Sequence, residues 1–218
     1  MNYARRKRRG YTVIFKRRRG IIKDMEKDNK EKDIKILAIV GMSGSGKSVV
    51  VDHLTNLGYP KVYFGGMIYK EMEKRGIERT ADGESEKHFR EMIRETEGKD
   101  WVVRQVIEEA KGLISAGQKR VVLDGLYTWT EYKILKKEFP GQMSVVAVVV
   151  DKAIRHKRVG KRPDRPFNTE EIQERDRSEI ENLEKGGPIA MADYYLLNNS
   201  SVEELEAGVD EVLKKIDF

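Results

Sequence analysis

The sequence predicts an α/β protein with an open, five-stranded parallel sheet that carries helices on both faces. Short apolar runs typical of buried strands alternate along the chain with longer segments whose apolar residues recur at helical spacing. The first apolar run is followed by a glycine-rich loop and then by a segment that can open a helix. This order of strand, loop and helix is the repeating unit of parallel sheets, which are covered by helices on both sides.

Five segments rich in apolar and β-branched residues are predicted as strands. In chain order they are residues 34–40, 61–64, 120–124, 143–151 and 194–197. The fourth is the strongest, because valine occupies positions 145, 146, 148, 149 and 150. A strand this apolar along its whole length is typical of a sheet that is buried on both faces.

The segments between these strands are predicted as helices. A long helical stretch after the second strand contains Gly76 and Asp82-Gly83, which we expect to interrupt it, because glycine favours turns over helix interiors. In chain order, the helical segments run from the glycine-rich loop to about residue 57, from about 67 to 107, from 128 to 139 and from 201 onward. A charged segment up to about residue 185 separates the fourth strand from the fifth.

The loop from Gly41 to Ser48 matches the pattern G-x-x-x-x-G-K-[ST] at every constrained position. In this pattern the glycines let several backbone N–H groups point at one anion, the lysine reaches the terminal phosphates and the hydroxyl ligates Mg²⁺. The N-terminal end of the following helix adds its partial positive charge. We therefore predict a nucleoside triphosphate site with Mg²⁺, formed by Gly41, Ser43, Gly44, Ser45, Gly46, Lys47, Ser48 and Val49.

Asp124 is the predicted acid of this site. It ends the apolar run Val121-Val-Leu123, and such a run followed by an acid is typical of a Walker B strand. Because ligands bind at the carboxyl ends of the strands in such sheets, we expect the phosphate loop, residues 64–66, Asp124 and Asp151 to meet in one cleft. There Asp124 can hold Mg²⁺ together with Ser48, or accept the proton of an attacking hydroxyl, and the sequence leaves both roles open.

Residues 155–177 carry eight lysines and arginines together with two prolines and a glycine. The transition state of phosphoryl transfer spreads negative charge over oxygens that arginine can bind in bidentate fashion. A mobile basic flap would bring these charges to the phosphate and exclude water. Arg158, Arg162 and Arg175 are the predicted catalytic cations, next to Lys47 and Asp124.

From about residue 34 to 218 the chain resembles the P-loop nucleotide kinases, above all the dephospho-CoA kinases and archaeal proteins related to adenylate and cytidylate kinases. The resemblance is carried by the phosphate loop, by 121–125, by the flap arginines, by Arg175-Asp176-x-x-Glu179 and by 192–198. It implies a three-layer α/β/α fold with strand order 2-3-1-4-5, a helical acceptor region at about 65–117 and an arginine-rich lid at about 155–167. It also implies ATP as the donor, and it places the turn after Asn198 near the adenine.

The chain departs from this family after the second strand. The related kinases usually have Gly-Asp-x-x-Arg there, which engages the acceptor nucleotide, whereas this chain reads Gly65-Gly66-Met67-Ile68-Tyr69. Lys70, Arg75, Arg90 and Arg94 are available on the nearby helices to hold an anionic acceptor instead. The donor half of the site thus matches the family, while the identity of the acceptor stays open.

The positive charge of the chain is concentrated at its start. Residues 1–23 hold ten lysines and arginines and no acid, so that the rest of the chain carries a net charge of −4 within an overall +6. We predict a basic, disordered tail over residues 1–33, for which nucleic-acid contact, a sorting signal and a start codon at Met25 remain alternatives. The chain has no cysteine and no apolar run near the roughly 20 residues that span a bilayer. We therefore expect no membrane contact and a cytoplasmic location.

Three functions are compatible with these patterns. The first is an ATP- and Mg²⁺-dependent phosphotransferase for a nucleotide-like small molecule, such as dephospho-CoA or a nucleoside monophosphate. The second is a nucleotide-binding regulator or slow NTPase without a small acceptor, which the altered segment 65–70 favours. The third is a nucleic-acid-modifying kinase that residues 1–23 tether to its substrate. The oligomeric state is left open.

Overall fold

The computed structural model describes residues 33–80, 83–162 and 166–218, and within these residues five parallel strands form one sheet. The strands are β1 Lys35–Val40, β2 Lys61–Tyr63, β3 Arg120–Asp124, β4 Met143–Val149 and β5 Tyr194–Leu197. Their order across the sheet is β2-β3-β1-β4-β5, which confirms the expected order 2-3-1-4-5. The fold class predicted from the sequence is therefore confirmed.

The helices fill the connections between the parallel strands. They are α1 Lys47–Asn56, α2 Phe64–Lys74, α3 Glu84–Thr96, α4 Trp101–Ser115, α5 Trp129–Glu138, α6 Lys152–Gly160, α7 Thr169–Glu181, α8 Gly186–Ala190 and α9 Val202–Ile216. The predicted helical stretch after β2 is thus three helices, and α2 ends just before Gly76, which has a positive φ of 67°. Strand β4 ends two residues earlier than expected, because Asp151 already precedes the first turn of α6.

The sheet is covered on both faces by apolar side chains. Leu37 and Ile39 of β1 lie in a core cluster with residues of α1 and α9. The alternate residues Ile36 and Ala38 point to the other face and are fully buried as well. On that side α4 contacts β2 and β3, and α8 contacts β4. This three-layer arrangement explains why the strands read as continuous apolar runs.

The strand register brings the predicted functional segments together. Asp124, the last residue of β3, pairs with Ile39 of β1 on one side and with Tyr63 of β2 on the other. Ile39 is followed by Val40 and then by the phosphate loop, so the loop, Asp124 and Tyr63 all lie at the carboxyl edge of the sheet. The candidate site is built at this edge, as expected for a parallel α/β sheet.

Several predictions concern residues outside the described ranges. The basic tail, including its possible nucleic-acid contact, lies outside them apart from Asp33, and so does Arg165 of the predicted lid. Across the described parts of the chain, no helix has the length and the apolar character needed to cross a membrane.

Candidate phosphate-binding site

A cavity of about 720 Å³ opens at the carboxyl edge of the sheet beside the phosphate loop. The predicted site residues that line it are Ser43, Gly44, Gly46, Lys47, Ser48, Asp124, Arg158, Arg162 and Arg175. They come from the loop, from α1, from the end of β3, from α6, from the segment just after α6 and from α7. Folding therefore gathers the predicted loop, acid and arginines around one space.

Lys47 is folded back over the loop that carries it. Its Nζ donates hydrogen bonds to the carbonyl oxygens of Gly41 at 2.7 Å and of Met42 at 3.1 Å. Burial first and the positive charge of Lys185 second lower the pKa of Lys47 to about 8, although Glu179 and Asp124 oppose the shift. The lysine thus lines the cavity, and among the described residues its Nζ bonds to carbonyl oxygens and to no carboxylate, which leaves its charge available for an anionic ligand.

Asn198 lies directly under the loop. Its side chain is buried, and its Nδ2 donates to the carbonyl oxygen of Ser45 at 2.8 Å, while Arg158 donates to the Asn198 carbonyl oxygen at 3.0 Å. The adenine contact expected at the turn after Asn198 stays a prediction. These contacts place Asn198 between the end of β5 and the loop, where it links the loop to Arg158.

The close approach of Asn198 explains why position 46 is glycine. Gly46 precedes the first residue of α1 and has a φ of 98°. A Cβ at this position would lie 2.1 Å from Asn198 Nδ2, well inside van der Waals contact. Any side chain here would both strain the backbone and push the asparagine away from the loop.

We expect Gly46→Ala to destabilise the protein more than Gly117→Ala, which is its matched control. Gly117 has a φ of 99°, but a Cβ there meets nothing within 4 Å. The control should cost about 1–2 kcal/mol for the positive φ alone, and Gly46→Ala should cost about 1–3 kcal/mol more for overpacking. Urea denaturation of both variants measures the difference. Equal losses would contradict the contact with Asn198.

The oxygen donors of the cavity fit a Mg²⁺ ion. The Ser48 hydroxyl and the carboxylates of Asp52 and Asp124 line the same space. Mg²⁺ prefers such oxygens and is usually held by one or two carboxylates together with substrate phosphates. Among the described residues, no group of three or more histidine, cysteine, aspartate or glutamate side chains is placed to hold a metal ion.

Asp124 is half-buried, and its environment changes its acidity. Burial raises the pKa of this carboxyl, Lys61 and Lys47 lower it, and the nearby charge of Asp52 raises it again. The balance is a raised pKa. A carboxylate with a raised pKa is a better proton acceptor than an exposed one, provided that it is still ionised at neutral pH.

The three predicted arginines come from two different segments. Arg158 belongs to α6 and Arg162 follows it, and the Nη2 of Arg162 lies 3.4 Å from Ser43 Oγ. Arg175 belongs to α7, outside the expected lid at 155–167, and its Nε donates to Glu179 at 3.3 Å. These three arginines, which line the cavity, are therefore divided between the expected lid, which holds Arg158 and Arg162, and the next helix, which holds Arg175.

Two charged residues inside the site were not among the predicted site residues. Glu179 and Lys185 are 2% and 1% exposed at their side chains, and they form an ion pair of 2.9 Å at the wall of the cavity. Glu179 stood only in the motif that carries the family resemblance. Lys185 lies in a charged turn between Glu184 and Gly186, where nothing in the local sequence distinguishes it from a surface lysine.

Aromatic residues form the wall opposite the arginines. Tyr63 and Tyr127 line the cavity next to Asp124. The ring of Tyr63 lies against Gly65, where a Cβ would come within 2.5 Å of it, and near Gly66, where a Cβ would stand at 3.2 Å. Tyr63 thus occupies the space beside the segment in which the family usually has its acceptor-binding acid.

Some residues expected near the cleft have other partners. Asp151 lies at the start of α6, where its N–H donates to Asn199 Oδ1, and it is not part of the described cavity wall. Lys70 pairs with Glu109, and Arg75 donates to Glu71 at 2.7 Å. Lys70 and Arg75 thus already pair with acidic side chains, and a role for them in binding an anionic acceptor stays a prediction.

Comparison with known proteins agrees with this architecture. Residues 37–182 match the family described as AAA domain. The UPF0200 protein TK1334 of Thermococcus kodakarensis is 35% identical over 188 residues, which cover 83% of this chain and 100% of that protein. The UPF0200 protein of Sulfurisphaera tokodaii is 33% identical over 186 residues, covering 84% and 98%.

The fold also resembles solved structures of low sequence identity. TT1252 from Thermus thermophilus superposes with a TM-score of 0.54 at 22% identity, covering 84% of this chain and 97% of that chain. Dephospho-CoA kinase from Campylobacter jejuni gives 0.53 at 16% identity, with 84% and 98% covered. Shikimate kinase from Acinetobacter baumannii gives 0.51 at 19% identity, with 84% and 93% covered. With its phosphate loop, sheet order and relatives, this chain belongs to the UPF0200 family and carries an AAA domain.

Proposed function

We propose that this protein is an ATP- and Mg²⁺-dependent phosphotransferase that acts on a nucleotide-like small molecule. The observation that carries the proposal is the composition of one cavity. The phosphate loop, the carboxylate of Asp124 and the guanidinium groups of Arg158, Arg162 and Arg175 all border it. A site that only held a nucleotide with Mg²⁺ would need the loop and one carboxylate, whereas several arginines around the same space also provide for the charge of a transferred phosphoryl group.

In the proposed donor site, the loop binds the triphosphate of ATP. Backbone N–H groups from Gly44 to Ser48 would surround the β-phosphate, and Lys47 would exchange its two carbonyl contacts for phosphate oxygens. Ser48 and one carboxylate would hold Mg²⁺, which when bound neutralises part of the phosphate charge. Asn198 would act mainly by supporting the loop through Ser45.

The proposed reaction is the attack of an acceptor hydroxyl on the γ-phosphorus of ATP. A bond forms between the hydroxyl oxygen and phosphorus, and the bond to the β–γ bridging oxygen breaks, so that ADP leaves. The hydroxyl proton passes to Asp124 if this residue is the base, and to solvent if Asp124 is the partner of the metal. Arg158, Arg162 and Arg175 would stabilise the charge that develops on the transferred group.

An anionic acceptor fits the side of the cavity next to Tyr63 and Tyr127. Arg90 of α3 lies close enough to both phenols to affect their pKa values. In the described ranges 33–80, 83–162 and 166–218, the side chain of Arg90 makes neither a hydrogen bond nor an ion pair. Burial and the charge of Arg90 lower the pKa of Arg94, which lies one turn further along α3. Two partly buried arginines beside an aromatic wall suit a ring-bearing acceptor with a phosphate or carboxylate group.

The proposal is tested by ADP release from ATP and Mg²⁺ across a panel of acceptors, with Lys47→Ala as the blank. The panel contains dephospho-CoA, nucleoside monophosphates, shikimate, short RNA and no acceptor, because kinases for dephospho-CoA and shikimate share the fold. Turnover that requires one acceptor, vanishes in the blank and yields a phosphorylated product by mass supports the phosphotransferase. Slow ADP release that no acceptor accelerates would contradict it.

That second outcome would favour a nucleotide-dependent regulator. Gly66 and Tyr69 stand where the related kinases engage their acceptor, and this departure is the observation that supports the alternative. A nucleic-acid-modifying kinase would instead respond to the RNA in the panel. Its proposed tether, residues 1–23, lies outside the described residues.

Once an acceptor is identified, we expect Arg90→Met to raise its KM about tenfold or more with little change in kcat. The reason is that a charge-assisted contact to a group remote from the reacting atoms binds the ground state and the transition state alike. Arg104→Met is the control, since Arg104 is a half-exposed arginine that pairs with Asp100 on α4. An unchanged KM in Arg90→Met would exclude Arg90 from the acceptor site.

A further inference from the structure

Ser43 of the phosphate loop is held at all of its polar groups by side chains from α6, from α7 and from Arg162, which follows α6. Its N–H donates to Glu179 Oε2 at 2.9 Å, and its carbonyl oxygen accepts from Arg155 Nη1 at 3.2 Å. Its hydroxyl accepts from Arg162 Nη2 at 3.4 Å. The orientation of this peptide group therefore depends on residues that are far away in sequence, since Ser43 and Glu179 are separated by 136 positions.

The carboxylate that holds the Ser43 N–H is itself fixed by a buried lysine and a half-exposed arginine. Lys185 Nζ contacts Glu179 Oε1 at 2.9 Å and lies 4.9 Å from the centre of the Tyr127 ring. Arg175 donates to the same oxygen from the cavity side. Removing a lysine and a carboxylate from water is costly, and well-packed apolar residues usually stabilise a fold at least as well. The pair therefore suggests a need for defined geometry at this position.

We propose that Glu179 and Lys185 are positioning residues that hold the Ser43 peptide group so that the phosphate loop is ready to receive a nucleotide. This inference rests on the proposed function, because it concerns the same nucleotide site. Ser43 is followed by Gly44 and, after Ser45, by Gly46, both of which have a positive φ. Glycine-rich backbone is conformationally permissive, so an anchor at Ser43 lowers the entropy that binding would otherwise have to remove.

The chain contains a second arrangement with the same contacts, whose side chains are partly exposed rather than buried, and it serves as the control. Asp193 Oδ2 accepts the N–H of Val145 at 2.7 Å and pairs with Lys136 Nζ at 3.0 Å. This set combines a carboxylate, a backbone N–H and a lysine in the same way as Glu179, Ser43 and Lys185 do. Its lysine belongs to α5, its N–H to β4 and its carboxylate to the residue before β5. A general loss of stability should appear in variants of both sets, whereas a loss of nucleotide affinity should appear only in variants of the loop set.

The test compares Lys185→Met, Lys185→Arg, Glu179→Gln and Lys136→Met in the full chain, below the melting temperature of each variant. Calorimetry with ATP and Mg²⁺ should show that the affinity for ATP falls about tenfold or more in Lys185→Met. The reason is that Glu179, which accepts the Ser43 N–H, then lacks the cation that holds it in place. Lys136→Met should stay within about twofold of the wild type, because distant sites act independently. Lys185→Arg should restore most of the affinity. Equal Kd values for Lys185→Met and Lys136→Met would overturn the proposal.

A second measurement does not depend on nucleotide binding. In ¹⁵N–¹H spectra of the nucleotide-free protein, the amide signals of Ser43 and Gly44 should move in Glu179→Gln and Lys185→Met but not in Lys136→Met. If the wild type bound no ATP, the proposed function would fail, and these spectra alone would decide whether the pair positions the loop. If Lys185→Met did not fold, Lys185→Arg and Glu179→Gln would carry the comparison. Unchanged Ser43 and Gly44 signals in the folded variants would overturn the inference.

Discussion

Asp124→Asn is expected to lower kcat for phosphoryl transfer by about 10²–10⁴-fold, the usual contribution of a positioned general base. Asparagine has nearly the same shape but neither accepts the proton nor brings a negative charge to a metal ion. Burial already raises the pKa of Asp124, so the wild-type carboxylate is a stronger base than an exposed one. The affinity for ATP should change little, because the phosphate loop is untouched. Single-turnover kinetics and calorimetry separate the two effects.

Asp52→Asn is the control for this experiment. Asp52 lines the same cavity, but it is exposed on α1, and the loss of an exposed charge should lower kcat by less than about tenfold. The Mg²⁺ dependence then distinguishes the two roles of Asp124. A metal partner raises the Mg²⁺ concentration that Asp124→Asn needs for half-maximal turnover, whereas a base leaves it unchanged. A kcat close to that of the wild type would exclude both roles.

ATP binding is expected to weaken about tenfold between pH 7 and pH 9, because the pKa of Lys47 lies at about 8 in the nucleotide-free protein. Only the protonated lysine binds phosphate well. As the pH rises through the pKa, a growing fraction of Lys47 is neutral and must take up a proton when ATP binds. The shift is caused first by burial and then by the charge of Lys185, while Glu179 and Asp124 act in the opposite direction.

Calorimetry in two buffers of different ionisation enthalpy measures both the Kd and the proton uptake. Lys47→Arg is the control, because arginine stays protonated throughout this pH range, so that its weaker binding should not depend on pH. Lys185 is the neighbour that could mimic the effect, since burial lowers its pKa as well, and Lys185→Arg tests this contribution. A wild-type Kd that is flat from pH 7 to pH 9 would contradict the prediction.

The departure at Gly65 and Gly66 shows how much local sequence can say about an acceptor. The sequence shows that an acid is missing there, but it does not show what replaces it. In the fold, the Tyr63 ring lies over these glycines and faces the cavity beside Tyr127. This part of the cavity wall depends on the rotamer of Tyr63 and on the pairing of β2 with β3. Neither of these produces a recognisable pattern in the sequence.

The strands, the phosphate loop and the position of Asp124 were predictable from the sequence because their signals are local. Apolar runs bury a strand, glycine spacing permits the loop, and an acid that ends a strand must lie at the edge of the sheet. The Glu179–Lys185 pair, the support of Ser45 by Asn198 and the divided origin of the arginines were decided only by the tertiary structure. These contacts join residues far apart in the chain, such as Asn198 and Ser45 with a separation of 153 positions. In the sequence, Glu179 and Lys185 resemble ordinary surface charges. Only the packing of α6, α7 and β5 against the loop removes them from water.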